Sequence, residues 1–106
     1  MISGTGSVTS NGTLYLTGAN TYTGGTINTS LLYLGNNGTT GSIVDTGGIA
    51  NTGTVNFNRS DAVTYGGVIS GTGQVDVRTS GDVTFTNNNT YTGWTFLNGD
   101  SQLTLG

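Results

Sequence analysis

Cysteine, histidine, glutamate and lysine are all missing from the 106 residues, and two arginines, Arg59 and Arg78, face five aspartates for a net charge of −3. Without cysteine there is no disulfide framework and no thiolate metal site, and without histidine or glutamate the ordinary zinc sets and Ser-His-Asp triads are gone too. No lysine is present to form a Schiff base. Two cations make no basic patch, so neither nucleic acid nor an anionic lipid surface is an expected partner. No cofactor is expected. No apolar run approaches the roughly 20 residues that span a bilayer. Met1 leads straight into repeated sequence with no signal peptide, and the expectation is an excerpt of a longer chain or a redesigned piece.

What is abundant is small and polar. Gly, Asn, Thr and Ser make up 63 of the 106 residues, with 32% apolar and 7% charged. These four are mediocre or poor helix formers, so helix is nearly excluded and any core must be thin. Such a composition also suits disorder. Against disorder stands the arrangement of the apolar residues, which are mostly β-branched, leucine or aromatic and sit in short alternating clusters between turn residues.

Seven clusters have the form apolar-x-apolar: Leu14/Leu16, Leu32/Leu34, Val55/Phe57, Val63/Tyr65, Val75/Val77, Val83/Phe85 and Leu103/Leu105. On a strand, the two apolar residues of each cluster face one side and the residue between them faces the other. Leu14 returns as Leu32, Val55 as Val75, Val63 as Val83 and Val83 as Leu103, each time after roughly 20 residues. Hairpins give no reason for similar segments to return at such a stride, whereas parallel stacking of coils does. The expected fold is all-β: a single-stranded parallel β-helix of about five coils of roughly 20 residues. Corner asparagines Asn20, Asn28, Asn51, Asn89 and Asn98 are candidates for side-chain amide ladders between coils.

A longer repeat overlies this stride. Residues 2–8 return at 69–75, residues 12–28 at 81–95, and Leu32-Tyr33-Leu34-Gly35 at Leu103-Thr104-Leu105-Gly106, with an offset that grows slightly from the first block to the last. The whole of 1–106 therefore reads as one β-solenoid segment, with a first copy at 2–35, a less regular middle at 36–68 and a second copy at 69–106. In the middle, residues 36–42 read as a loop and residues 58–61 as a corner.

The set Ile2-Ser3-Gly4-Thr5-Gly6, Leu16 to Asn28, Phe57 to Asp61 and Tyr65 to Gly73 resembles the passenger-associated repeat of autotransporters, the bacterial type V secreted proteins. This resemblance implies a right-handed parallel β-helix in an extracellular or cell-surface passenger, exported through a C-terminal barrel that is absent from this sequence and would be its only membrane contact. It also implies a stalk or spacer that aids secretion by folding coil on coil, or an adhesin. The chain departs from the family pattern at Trp94, where glycine is usual, and at Asn87-Asn88-Asn89, which stands against Gly18-Ala19-Asn20 of the first copy.

Little chemistry is left to weigh. Asp61, Asp82 and Asp100 follow one another at close to the coil stride, and stacked carboxylates would suit a polysaccharide-cleaving enzyme. Each also lies beside a turn, where aspartate is favoured for local hydrogen bonding, and that reading is preferred. Gly71 to Asp76 faintly resembles a calcium β-roll but lacks tandem copies, and Thr21-Tyr22-Thr23 with Thr90-Tyr91-Thr92 is too sparse for a hydroxyl ladder. The chain is expected to be no enzyme. Tyr15, Tyr33 and Trp94 form the candidate binding surface, an aromatic strip for a surface glycan or a host protein. Self-association through the solenoid ends is the other expected contact.

Overall fold

The computed structural model describes residues 2–43, 47–78, 82–87, 89–97 and 102–105. Twelve strands are found among them: β1 (Val8–Ser10), β2 (Thr13–Leu16), β3 (Thr26–Asn28), β4 (Leu31–Gly38), β5 (Ile49–Asn51), β6 (Thr54–Arg59), β7 (Val63–Tyr65), β8 (Ile69–Ser70), β9 (Gln74–Val77), β10 (Asp82–Phe85), β11 (Thr95–Leu97) and β12 (Gln102–Leu105). The described residues contain no helix, and so none long and apolar enough to cross a membrane.

The strands form three sheets, ordered β1-β3-β5-β8, β2-β4-β6-β9-β11 and β7-β10-β12, and every pairing is parallel. This is a β-solenoid. The chain winds around three faces, stacking strand on strand from coil to coil, the third face carrying strands only from β7 onward; the longest sheet holds five strands and the whole makes about four full turns. The strides read from sequence are the observed registers: Leu14↔Leu32, Val55↔Val75, Val63↔Val83 and Val83↔Leu103. One coil is longer, since Leu32 pairs with Val55.

The longer coil lies where the sequence reads as a loop. There β4 runs on to Gly38 with a register shift after Leu34, and Gly38 pairs with Arg59. The Arg59 guanidinium explains why this polar stretch is ordered. It donates to the carbonyls of Thr39 (3.0 Å) and Gly41 (3.2 Å) and grips Asp61 with two bonds of 2.8 Å. The planar fork thus satisfies loop carbonyls and a carboxylate together.

Inward side chains stack along the axis. Leu32, Val55, Val75 and Val83 are fully buried, and Phe57 packs between Phe85 (5.5 Å between ring centroids) and Tyr65 (6.3 Å). Burying each of these side chains stabilises the fold by about 1.5–3 kcal/mol relative to exposure. Asn28 and Asn51 are equally buried at successive corners. The Asn28 amide donates to Asn51 Oδ1 (2.8 Å), the Asn51 amide donates to the Gln74 carbonyl (2.9 Å), and the two Oδ1 atoms accept from the N–H groups of Ser30 and Gly53. The ladder expected of corner asparagines therefore forms at Asn28 and Asn51, while Asn98 lies outside the described residues.

The repeated sequence has a specific structural meaning. In the first copy, the segment from Ile2 to Gly6 lies one coil below that from Asn20 to Gly24: Thr21, Thr23 and Gly24 donate to the carbonyls of Ile2, Gly4 and Gly6 at 2.8–3.0 Å, and Asn20 Oδ1 accepts from the Ile2 N–H at 2.7 Å. The second copy repeats this clasp. Thr90 and Thr92 donate to the carbonyls of Ile69 and Gly71 at 2.9 Å, and Asn89 Oδ1 accepts from Ile69 at 2.8 Å. Glycine is required where the segments touch, because a Cβ on Gly24 would stand 2.5 Å from the Gly6 carbonyl oxygen and one on Gly93 would stand 1.9 Å from that of Gly73. The Tyr22 and Tyr91 hydroxyls hydrogen-bond the hydroxyls of Thr26 and Thr95.

The two clasps do not lie on the same side. Val8 and Thr26, on the four-stranded sheet, correspond in sequence to Val75 and Thr95 on the five-stranded one. Likewise Leu14 and Leu32 on the five-stranded sheet correspond to Val83 and Leu103 on the three-stranded one. The offset between the copies amounts to about three coils plus one face, so the second copy is turned onward by one face.

Candidate functional site

The outer surface of the five-stranded sheet concentrates most of the chemistry that faces solvent. Because side chains alternate across a strand, the register generates two outward rows. One runs Tyr15, Tyr33, Asn56, Asp76, Phe96, and the other Thr13, Leu31, Thr54, Gln74, Trp94. In the first row aromatic side chains stand at both ends with shorter polar ones between them, and in the second Leu31 and Trp94 flank Thr54 and Gln74. The result is a groove of about 460 Å³ whose floor is Asn56 and Asp76 and whose walls include Tyr33, Gln74, Arg78 and Phe96.

At one end, Tyr15 and Tyr33 stack face to face, 4.4 Å between centroids and 7° from parallel. Rings stacked along the row leave the second face of Tyr33 turned toward Asn56 and the groove. At the other end, Trp94 is 71% exposed and tilts against Phe96 at 5.7 Å. Three strand steps separate Tyr33 from Phe96, about 14 Å at the usual spacing. Arg78 Nε donates to Asp76 Oδ2 at 2.8 Å, and this bond, with the aspartate's charge, raises the guanidinium pKa further above its ordinary value. Arg78 therefore stays charged over the whole accessible pH range, held over the floor of the groove.

Tyr15, Tyr33 and Trp94 thus share one sheet face, Trp94 beyond the polar floor from the two tyrosines. The sequence reading missed Asn56, Asp76 and Phe96, which continue the Tyr33 row. The signal was available: stepping from Tyr33 by one coil at a time, in the register of the neighbouring apolar pairs, lands on all three.

The carboxylates do not form a row. Val63 pairs with Val83, which sets Asp82 beside Ala62 and leaves Asp61 one residue out of step, tied to Arg59. On its other side Asp82 pairs with Gln102, and Asp100 lies outside the described residues. Arg59 holds the Asp61 carboxyl below its usual range. Among the described residues no group of three metal-ligating acidic side chains occurs, and Asp76 of the faint calcium motif is engaged with Arg78. Tyr22 points inward and is buried, so the two Thr-Tyr-Thr segments build no common surface row.

Among known proteins, an autotransporter adhesin of Brucella suis biovar 1 (strain 1330), adhesin BmaC, is 51% identical to this chain over 75 residues, covering 66% of the chain and 2% of the relative. The chain therefore spans a very small part of that relative's length. No protein-family model matches the chain. No solved structure matches it. On sequence the chain is similar to an autotransporter adhesin over about two thirds of its length, and its β-solenoid fold is consistent with a passenger domain.

Proposed function

We propose that this chain is a non-enzymatic structural segment of a secreted or surface-held passenger: a stalk or spacer whose coils fold one upon another as the chain emerges from the cell. The observation that carries this reading is the uninterrupted parallel pairing. Each coil binds the backbone of the one before it and covers its apolar residues, so stability accrues from nearest-neighbour contacts and folding propagates along the axis. The freedom from cysteine fits a chain threaded unfolded through a pore.

The test places the chain between an outer-membrane barrel and a reporter domain and follows arrival of the reporter at the cell surface. The native segment is expected to speed arrival relative to Val75→Asp, which buries an unpaired charge between coils and stops stacking. Equal arrival of both would overturn the secretion-assisting role.

A second reading is favoured by the outer face of the five-stranded sheet and by the relative's being an adhesin. In this reading the same rigid scaffold presents an adhesive surface, with Tyr15 and Trp94 exposed and Tyr33 partly exposed on one face, and no enzymatic step. Stalk and adhesive face are compatible, since one uses the inside of the coils and the other their outside.

A further inference from the structure

The geometry points to the groove between Tyr33 and Phe96 as a binding site for a short, uncharged stretch of oligosaccharide, laid along the solenoid axis across β4, β6, β9 and β11. This rests on the adhesive reading and goes beyond it by naming the site and the chemical class of ligand. The depression is made by side-chain length alone. Tyrosine and phenylalanine stand at its two ends, with asparagine and aspartate between them on the same row. A pyranose ring has the complementary shape: apolar C–H faces that lie on aromatic rings, and a rim of hydroxyls that both donate and accept. The free face of Tyr33 and the Phe96 ring offer the platforms. The exposed Gln74 amide offers a donor and an acceptor side by side, and the half-exposed Arg78 guanidinium offers further donors.

Other occupants match the groove poorly. A peptide recognised by strand addition needs free backbone groups, and on β4, β6 and β9 those groups are taken by neighbouring strands on both sides. Nucleic acid needs several cations, and the one cation here is paired with Asp76. An acidic sugar would meet the Asp76 carboxylate on the floor, and for that reason the uncharged class is assigned. The groove stays open in a solenoid of any length, because further coils extend the sheet without covering its outer face.

Trp94 is the sole tryptophan of the chain and stands at the rim of this face, so its fluorescence reports occupancy without a label. The purified chain is titrated with short neutral oligosaccharides and their sialylated counterparts, reading Trp94 emission and its protection from iodide. Beads coated with the chain are applied in parallel to cultured host cells, before and after periodate oxidation of the cell-surface sugars. A saturable emission change with a neutral sugar is expected, weakened about tenfold by Phe96→Ala and by Tyr33→Ala and retained by Tyr33→Phe. Circular dichroism melts establish that each variant is folded, and Gln74→Ala, at an exposed position, provides a variant that does not disturb the stacked rings.

Bead binding that disappears on periodate treatment, with the same order of variants, supports the site. Bead binding that survives periodate overturns the sugar assignment and leaves the adhesive reading standing. A sugar response that is unchanged in all four variants overturns the groove. No bead binding to any host cell overturns the adhesive reading, and the sugar site with it.

Discussion

The two clasps are nearly the same in sequence and differ in what lies above them. In the first, Tyr22 is 2% exposed, whereas Tyr91 of the second is only partly buried against the core. Asn20 is buried with three hydrogen bonds, its amide donating to the carbonyls of Gly18 and Ser42 and its oxygen accepting from Ile2. Asn89 is only half-buried. Beyond the first clasp another coil follows, and Gly25 lies against Gly47. Beyond the second no further coil stacks among the described residues, and Trp94, at the position of Gly25, projects outward while its carbonyl still accepts from the Val75 N–H at 2.9 Å. In a solenoid, then, a motif specifies its own pairing, and the next coil sets how much that pairing is worth.

Exchanging the two differing residues is the sharpest way to break this comparison. Gly25 has φ +88° and a Cβ there would stand 2.8 Å from the Gly47 carbonyl oxygen, so Gly25→Trp is expected to destabilise by about 4 kcal/mol or to prevent folding. Trp94→Gly is expected to change stability by less than about 1 kcal/mol. Urea unfolding followed by circular dichroism measures both; equal losses would show that the coil above does not matter.

A smaller contrast follows from the touching glycines. Gly24→Ala forces backbone against the first coil from a coil that is itself held on its other side, where Gly25 lies against Gly47, and is expected to lower stability by about 3 kcal/mol. Gly93→Ala makes the tighter clash but at a coil free to move outward, and about 1–2 kcal/mol is expected. Amide exchange should show the Gly93→Ala damage confined to the N–H groups of Thr90, Thr92 and Val75, while Gly24→Ala accelerates exchange throughout.

Asn20→Ala strips partners from the Ile2 N–H and from two carbonyls and is expected to lose about 2 kcal/mol, against about 1 kcal/mol for Asn89→Ala. The order of the two midpoints in urea decides it, and the reverse order would mean that the second clasp is the better anchored.

Smallest are the tyrosine hydroxyls, with Tyr22→Phe expected to lose about 1 kcal/mol and Tyr91→Phe less. Burial, partly opposed by the bond to Thr26, pushes the Tyr22 pKa above 10. The neutral phenol is thus the form the fold favours. Its contribution is complete below the unfolded value near 10 and is lost as pH rises through the higher folded value. Thermal melts at increasing alkaline pH should show this decline in the native chain and a shallower one in Tyr22→Phe.

The chain itself determined its architecture. Alternation made strands, small polar residues excluded helix, and the recurrence of apolar pairs at one coil's stride was sufficient to give the coil and most of its registers. The clasp was visible as a repeated motif because a close backbone approach admits only glycine and a buried amide ladder only a side chain such as asparagine. What surfaces those elements would build was decided by the tertiary structure. One coil is longer than its neighbours, and a repeat of about three coils plus one face places its copies on different faces. Outward neighbours are therefore set by accumulated register and not by sequence likeness, which is why Tyr22 and Tyr91 part company while Tyr33, Asn56, Asp76 and Phe96, dissimilar in sequence, meet in one row.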